Sequence, residues 1–363
     1  MGVRILLVAL LLLCPPVWAQ HFIDMPALRV PREGHTATLL RDGTVMVAGG
    51  TGSQGVAIKS VEIYDPVTRS WSVAESMNTA RAQHSATLLR DGRVLVAGGI
   101  DGTQYLESVE IFDPSANTWF ATPGLPTVRR AFHSASLLPN GQVLIAGGIG
   151  FPIDEDLEDT ITFASCELFD PIEGEWRAGP PMASGRQMHS ATSLPGGRVL
   201  VVGGLSDAGG NSSAELYDAA RQQWRPAGEL STVRWSHTAS LLTDGQVLVA
   251  GGFDANQPLS STELLDLKTM RWRQGPPMRQ ARQLHSANLL SGGQLLVVGG
   301  IGGSQASMGA ELYDPVAGRW QESVALRWPR YKHSATLLPG GAVLMVGGLN
   351  TERTLKEVEQ LQR

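Results

Sequence analysis

Residues 81–119 read RAQHSATLLRDGRVLVAGGIDGTQYLESVEIFDPSANTW, and this stretch decides the fold because the chain repeats it along its length. His84 opens an apolar run that the pair Asp91–Gly92 interrupts, and a double glycine ends the next apolar run. Glu110 and Trp119 complete the stretch. An Asp-Gly pair accepts the positive φ angles of a tight hairpin, so the stretch predicts short strands joined by turns.

The motif Arg-x-x-His-[Ser/Thr]-Ala occurs seven times, and the other landmarks keep their distance from it. A double glycine starts fourteen residues after each histidine, and a glutamate follows in every copy. In the first six copies a tryptophan stands nine residues after the glutamate. The histidines are His35, His84, His133, His189, His237, His285 and His333. The arginines are Arg32, Arg81, Arg130, Arg186, Arg234, Arg282 and Arg330. The glutamates are Glu62, Glu110, Glu167, Glu215, Glu263, Glu311 and Glu359. This register, with a period of about 48 residues, is typical of a repeat architecture.

Each copy is predicted to form four antiparallel strands with apolar side chains on both faces. Such a sheet needs a neighbouring sheet on each face, and a ring of sheets supplies both while exposing only short edges. The chain of 363 residues is 42% hydrophobic and only 17% charged, which is ample for this core and excludes a disordered chain. We therefore predict an all-β ring of seven four-stranded sheets over residues 20–363.

The same residues resemble the kelch-repeat family, whose signature is a double glycine, an aromatic residue after the glutamate, and a tryptophan. The aromatic residues here are Tyr64, Phe112, Phe169, Tyr217 and Tyr313. Leu265 and Leu361 depart from the pattern and predict looser packing between neighbouring sheets. The resemblance covers essentially all of residues 20–363 and implies a seven-bladed kelch β-propeller, similar to the central propeller of galactose oxidase. The copper ligands and crosslinked tyrosine of that enzyme have no counterpart in the sequence.

The seventh copy is incomplete, because it ends at Arg363 without a tryptophan. Phe22 stands thirteen residues before His35, which is the usual spacing from the tryptophan to the next histidine. We therefore predict that residues 22–26 form the missing fourth strand beside residues 358–361, so that the N-terminus closes the last blade. An open ring would leave a sheet edge and an apolar face unpaired.

Residues 1–19 are predicted to be a signal peptide. Arg4 supplies the positive end, Ile5–Leu13 is apolar, and the small residue Ala19 precedes the expected cleavage site. A secreted or periplasmic protein is therefore expected. Elsewhere no apolar stretch is long enough to span a membrane, and the net charge of -5 gives no basic footprint for nucleic acid. A monomer is expected.

The repeated arginines, histidines and glutamates allow two interpretations. In the structural one, each arginine pairs with a glutamate and each histidine caps a hydrogen bond; its members include Arg81, His84, Glu110, Arg186, His189 and Glu215. Perfect repetition favours this interpretation over a ligand site, because a site in a ring is usually asymmetric. A metal site made from these histidines is disfavoured, since the ring spreads them around its axis.

Departures from the repeat are better markers of function. The third copy is about eight residues longer than its neighbours, and its insertion carries the acidic residues Asp154, Asp156 and Asp159. Such a cluster is a weak candidate for Ca²⁺, and a solvated acidic loop is the alternative. No other cofactor is expected.

The strand directions place the Arg-x-x-His motifs and the variable loops at one end of the ring, which we call the top face. Extra aromatic residues lead into the first strands at this end: Phe132, Trp235, Trp328 and Tyr331. They suit stacking on a sugar or peptide, or packing between blades. Arg130, Arg234 and Arg330 join them as candidate ligand-binding residues, to the extent that they lack a glutamate partner.

These features favour a secreted module that binds a ligand or a protein through its top-face loops. The partner class is left open between protein, peptide and glycan. Resemblance to kelch adaptors of ubiquitin ligases, which hold acidic peptides, suggests an anionic partner first. The alternative is a periplasmic sugar mutarotase or epimerase, as in a bacterial kelch relative that acts on sialic acid. No triad, carboxylate pair or phosphate loop is present, which favours a non-enzymatic role.

Overall fold

The computed structural model describes residues 21–122, 127–153 and 159–362. Within these ranges every regular secondary-structure element is a β-strand. Seven four-stranded antiparallel sheets form, each built on one copy of the repeat. We call these sheets blades and number them 1 to 7 in the order of their first strands. The prediction of an all-β propeller with four antiparallel strands in each blade is confirmed.

The strands are numbered along the chain. The first strands of blades 1 to 7 are β2 (Thr36–Leu39), β6 (Ser85–Leu88), β11 (Ser134–Leu137), β17 (Ser190–Leu194), β23 (Thr238–Leu241), β27 (Ser286–Leu289) and β33 (Ser334–Leu337). The second strands are β3 (Val45–Ala48), β7 (Val94–Ala97), β12 (Val143–Ala146), β18 (Arg198–Val202), β24 (Gln246–Ala250), β28 (Leu295–Val298) and β34 (Val343–Val346). The third strands are β4 (Val61–Asp65), β8 (Val109–Asp113), β15 (Cys166–Asp170), β21 (Ser213–Asp218), β25 (Thr262–Asp266), β31 (Ala310–Asp314) and β35 (Val358–Gln362). The fourth strands of blades 1 to 6 are β5 (Ser70–Ala74), β9 (Thr118–Ala121), β16 (Glu175–Gly179), β22 (Gln223–Glu229), β26 (Arg271–Gln274) and β32 (Arg319–Glu322).

The core consists of seven apolar clusters, one between each pair of neighbouring blades, including blades 7 and 1. The second strands contribute most, because they lie mid-sheet and are covered on both faces. In β7, for example, all four residues are buried. Burying one such aliphatic side chain contributes about 1.5–3 kcal/mol. The first strands lie innermost and contact one another around the axis.

The double glycine is required where one blade meets the next. Gly98 and Gly99 have φ values of 61° and 101°, which L-residues with a Cβ rarely adopt. A Cβ on Gly98 would lie 2.5 Å from the carbonyl oxygen of Arg130 in blade 3. The amide of Gly99 donates to that same oxygen at 2.8 Å. The glycines therefore let the second strand approach the arginine loop of the next blade.

The seventh blade takes its fourth strand from the N-terminus, as the spacing predicted. Strand β1 (His21–Met25) pairs antiparallel with β35, and Phe22 lies opposite Leu361. Tryptophans occupy this position in the other blades, for example Trp119 opposite Phe112. Phe22 is only 5% exposed and belongs to the cluster between blades 6 and 7.

The looser packing expected at Leu265 and Leu361 is not seen in their burial. Both side chains are at most 1% exposed and belong to core clusters. A leucine with Trp272 or Phe22 opposite fills the space that two aromatic rings fill elsewhere.

Three small sheets lie at the top face, outside the blades. The largest joins β10 (Val128–Ala131), β13 (Ile149–Pro152) and β14 (Ile161–Thr162) above blade 3. The others are the hairpins β19 (Leu205–Ser206) with β20 (Gly209–Gly210), and β29 (Ile301–Gly302) with β30 (Gln305–Ala306). The predicted signal peptide, residues 1–19, lies outside the described residues. Among the residues that are described, none belongs to a helix long and apolar enough to cross a membrane.

Candidate functional site

Below the top face, each repeated arginine lies against the glutamate of its own copy. In copy 2 the Nη2 atom of Arg81 is 2.7 Å from Glu110, and its Nη1 atom donates to the carbonyl oxygens of Gly98 and Ser108. Glu110 also accepts backbone amides from the connection that leads to Arg81, such as that of Thr79. The same arrangement holds Arg186 on Glu215 at 2.7 Å. The seven pairs thus tie the second strand, third strand and connecting loop of every blade.

The burial of these arginines disagrees with the expectation that Arg130, Arg234 and Arg330 contact a ligand. All three are at most 2% exposed, so they do not reach a ligand on the surface. Arg234 and Arg330 lie 2.9 Å and 2.6 Å from their glutamates, Glu263 and Glu359. Arg130 lies 3.5 Å from its glutamate and stacks on the Phe163 ring at 5.2 Å. Burial lowers the pKa of each arginine, and the charge of the neighbouring glutamate partly offsets this lowering. A guanidinium nevertheless stays charged in proteins.

Closer to the axis, the seven histidines link neighbouring blades. The Nε2 atom of each shares a hydrogen bond of 2.8–3.0 Å with the hydroxyl that follows the histidine of the preceding blade. His84 thus meets Thr36, and His189 meets Ser134. Between blades 1 and 7, His35 meets Ser334. Each histidine therefore fixes the spacing of two first strands.

Burial keeps these histidines neutral. Burial, together with the charge of the nearby arginine, lowers the pKa of His35, His133, His189 and His285 to about 3. The same causes place the pKa of His84, His237 and His333 well below the ordinary value. The ring therefore adds hydrogen-bonding groups to the axis but no charge at neutral pH.

The residue before each histidine forms a second, inner ring. These residues are Gly34, Gln83, Phe132, Met188, Ser236, Leu284 and Lys332. All have φ between 52° and 60°, in the left-handed region. The amide of each donates to the carbonyl oxygen of the preceding member at 3.0–3.1 Å, and the amide of Gly34 donates to Lys332. Because this circle pairs the backbone groups, the side chains are what the inner ring offers to a ligand.

The two rings line a cavity of about 590 Å³ on the axis, which we call the axial cavity. Trp235 and Gln283 complete its lining. The histidines repeat around it, but the inner ring does not. Phe132, Met188 and Leu284 present apolar side chains, whereas Lys332 presents a cation. A symmetric scaffold thus carries an asymmetric cavity, and such a cavity of 300–1,000 Å³ is typical of ligand sites.

The predicted aromatic residues separate into two locations. Phe132 and Trp235 line the axial cavity, and the Trp235 ring meets Phe253 edge-on at 5.4 Å. Tyr331 lines a separate groove of about 540 Å³ between the loops of blades 6, 7 and 1. Trp328 is 36% exposed, and the guanidinium of Arg353 lies 5.5 Å from its ring centre.

The histidines do not suit a metal ion. Each Nε2 atom is engaged with a hydroxyl, and the described residues include no group of three or more His, Cys, Asp or Glu side chains arranged to hold one. The acidic insertion is a separate matter, because Asp154 and Asp156 lie outside the described residues. Asp159 is described and exposed.

Met188, Leu284, Lys332 and Gln83 were not among the residues singled out from the sequence. The signal for them is present, however. The second variable position of Arg-x-x-His changes from glycine to phenylalanine to lysine while the arginine and histidine of the motif stay constant. Variation inside an otherwise fixed motif marks the position at which the ring is free to specialise.

Comparisons with known proteins agree with this architecture. A family model described as the Attractin/LZTR1 beta-propeller matches residues 17–259, and one described as the KLHDC2/KLHL20/DRC7 Kelch-repeats domain matches residues 188–362. No curated protein sequence matches the chain significantly.

Two solved structures illustrate the similarity in fold. One is described as a "Novel fungal alcohol oxidase with catalytic diversity among the AA5 family, in complex with copper". It is 18% identical with a TM-score of 0.73, over 94% of this chain and 75% of that one. The other, "Structure of YjhT", is 16% identical with a TM-score of 0.65, over 82% of this chain and 99% of that one. Identities this low show a shared fold and nothing about activity.

Proposed function

The chain belongs to the kelch-repeat β-propeller family, with a match to the Attractin/LZTR1 propeller over residues 17–259, and on that premise we propose that it is a binding module. Its partner, a protein or peptide, would dock on the top face over the axial cavity. The observation that supports this most is the asymmetric lining of that cavity within a symmetric ring. Side chains that only filled the centre of the ring would be the same in every blade, whereas those of a recognition surface must differ from blade to blade.

The opposite end of the ring, which we call the bottom face, supports the choice of the top face because its turns vary little. Its hairpin turns are tight and nearly alike, as at Asp42–Thr44 and Asp91–Arg93, where the aspartate accepts the amide two residues on. Variable side chains on a rigid scaffold are where binding is usually located. Aromatic anchors such as Trp235 also carry much of the energy in interfaces.

Export is part of the proposal. If residues 1–19 are removed, the working protein begins at Gln20 and meets its partner outside the cytoplasm. N-terminal sequencing of the exported protein tests this point, and retention of Met1 would contradict it.

A peptide selection tests the binding proposal. We would select peptides from a random displayed library on the full chain and measure their affinity by fluorescence anisotropy. Phe132→Ala and Trp235→Ala should weaken binding at least tenfold while the melting temperature stays near that of the wild type. Asp91→Ser, in a bottom-face turn, is the matched control and should bind normally. Peptides that bind all three variants equally would refute the top-face assignment.

The alternative, a sugar mutarotase or epimerase, needs a proton donor or acceptor in the cavity. The histidines are poor candidates, because a pKa near 3 is far from the value at which general acid–base catalysis is efficient at neutral pH. Anomer-exchange and epimerisation assays with purified sugars test this alternative directly.

A further inference from the structure

We propose that the axial cavity takes an amphiphilic anion, with its apolar body against Phe132 and Met188 and its anionic group at Lys332. This inference names the ligand chemistry of the proposed function and rests on it only in placing the ligand in the axial cavity. It applies equally to a free small molecule and to an apolar–acidic group carried by a docked peptide.

The charge of the cavity comes from Lys332. It is the one charged side chain among the described residues that line the cavity, because the seven histidines are neutral. Behind the lining, the arginine charges are each met by a glutamate. An anion on the axis therefore finds a single cationic group, at one side of the ring.

Glu33 pairs with Lys332 but leaves it accessible. The two side chains approach to 3.3 Å, and they are 31% exposed for Lys332 and 11% for Glu33. An ammonium group has three N–H donors, so one partner leaves two for a ligand. Of the two side chains, Lys332 is the more exposed, and it is the one that lines the axial cavity.

The apolar side chains lie across the ring from this charge. The circle of backbone hydrogen bonds runs from Lys332 through Gly34 and Gln83 to Phe132 and Met188. In a ring of seven, blades 3 and 4 face blade 7. Phe132 and Met188 therefore face Lys332, with Trp235 of blade 5 beside them, whereas Leu284 of blade 6 is the neighbour of Lys332 in the ring.

The side chain of Gln83 strengthens the polar arc. A Cβ on Gly34 would lie 2.3 Å from its Nε2 atom, so the Gln83 amide occupies the space above Gly34. The arc from Lys332 to Gln83 is thus polar, and the arc from Phe132 to Met188 is apolar. A ligand with one polar and one apolar end matches this division.

Glutamine is a well-matched test substitution at these positions. Gln83 occupies the same left-handed position in blade 2 with φ of 54°, so the ring accepts a glutamine. Lys332→Gln removes the charge, and Phe132→Gln and Met188→Gln remove the apolar surface. Lys356→Met removes an exposed lysine of the top loops and serves as the control for net charge.

Three isosteric probes test the proposal by calorimetry on the full chain at pH 7.5: 4-phenylbutyrate, 4-phenylbutanamide and 4-phenylbutylamine. We expect the anion to bind at least tenfold more tightly than the amide, and the amine most weakly. The Lys332→Gln variant should bind the anion no more tightly than it binds the amide. The double variant Phe132→Gln/Met188→Gln should weaken the anion and the amide alike, and Lys356→Met should change neither.

Equal binding of the anion and the amine, or an unchanged affinity in Lys332→Gln at an unchanged melting temperature, would overturn the proposal. If none of the probes binds while selected peptides still need Phe132 and Trp235, the anion inference fails and the binding module stands. Competition between 4-phenylbutyrate and a selected peptide would show that the peptide carries the apolar–acidic group itself. Binding without competition would point to a free small molecule.

Discussion

The carboxylate of Glu215 shows how much one residue holds together in this fold. It accepts Arg186 at 2.7 Å and the amide of Ala183 at 2.8 Å while only 4% of the residue is exposed. Glu215→Gln leaves the arginine charge buried without a counter-charge, so we expect a loss of about 3 kcal/mol and a clear drop in the urea midpoint.

The exposed pair Arg279–Glu322 provides the control for this prediction. Its atoms lie 3.1 Å apart, but the side chains are 63% and 73% exposed. Surface pairs contribute between about 0 and 1 kcal/mol, so Glu322→Gln should leave the urea midpoint nearly unchanged. Equal effects of the two substitutions would mean that the buried pairs do not stabilise the blades.

The histidine ring predicts destabilisation by mild acid. Burial lowers the folded-state pKa of His133 to about 3, whereas an unfolded histidine titrates near 6.5. Above that pH both states are neutral and the pKa difference has no effect. Below it only the unfolded state takes up the proton, so stability falls as the pH drops from about 6.5 towards 3. Each such histidine contributes up to about 1.4 kcal/mol per pH unit.

Urea unfolding as a function of pH measures this effect. The midpoint should fall steeply below pH 6.5, and His133→Gln should make the slope shallower by about one proton while lowering stability at pH 7.5. A midpoint that stays constant from pH 7.5 to 5 would contradict the assignment of a neutral, buried ring.

The sequence could not predict how deeply a given residue is buried below the top face. Equal numbers of arginines and glutamates predicted their pairing, and strand direction placed Arg234 at the top end. How far Arg234 lies below the surface depends on the packing of neighbouring blades, and its residue exposure is 0%. Lys332 was overlooked for a related reason, because its position on the axis follows from a left-handed backbone conformation and not from a hydrophobic pattern.

Among the elements, strand β1 is the one whose removal should matter most. Phe22 takes the place of the missing tryptophan and lies in the cluster between blades 6 and 7. We expect Phe22→Ala to cost about 3–5 kcal/mol, and deletion of residues 20–29 to cost more, because it exposes the edge of β35. Thermal unfolding followed by circular dichroism measures both changes.

His21 supplies the comparison within the same strand, since its side chain is exposed. His21→Ala should shift the melting temperature far less than Phe22→Ala. If the two variants melt together, the strand does not stabilise the seventh blade. The spacing of Phe22 from His35 sufficed to predict this strand, because the repeat fixes where a fourth strand must run.

For the whole molecule, the regularity that made the fold predictable also concealed the candidate site. Seven copies of one motif identify the blades, and the same copies direct attention to the repeated arginines, which are buried. The sides of the axial cavity differ through the variable positions of the motif, as at Phe132, Lys332 and Trp235. Which variable positions meet on the axis follows from the ring and not from any single copy.

Hydrogen exchange with a selected peptide tests the central claim, that a partner docks on the top face over the axial cavity. The account predicts slower exchange in the segments that lead into the first strands, residues 79–84, 127–133, 231–237 and 328–333, with the bottom turns at residues 41–44 and 90–93 unchanged. Protection of the bottom turns, with exchange at the axial ring unaltered, would contradict it.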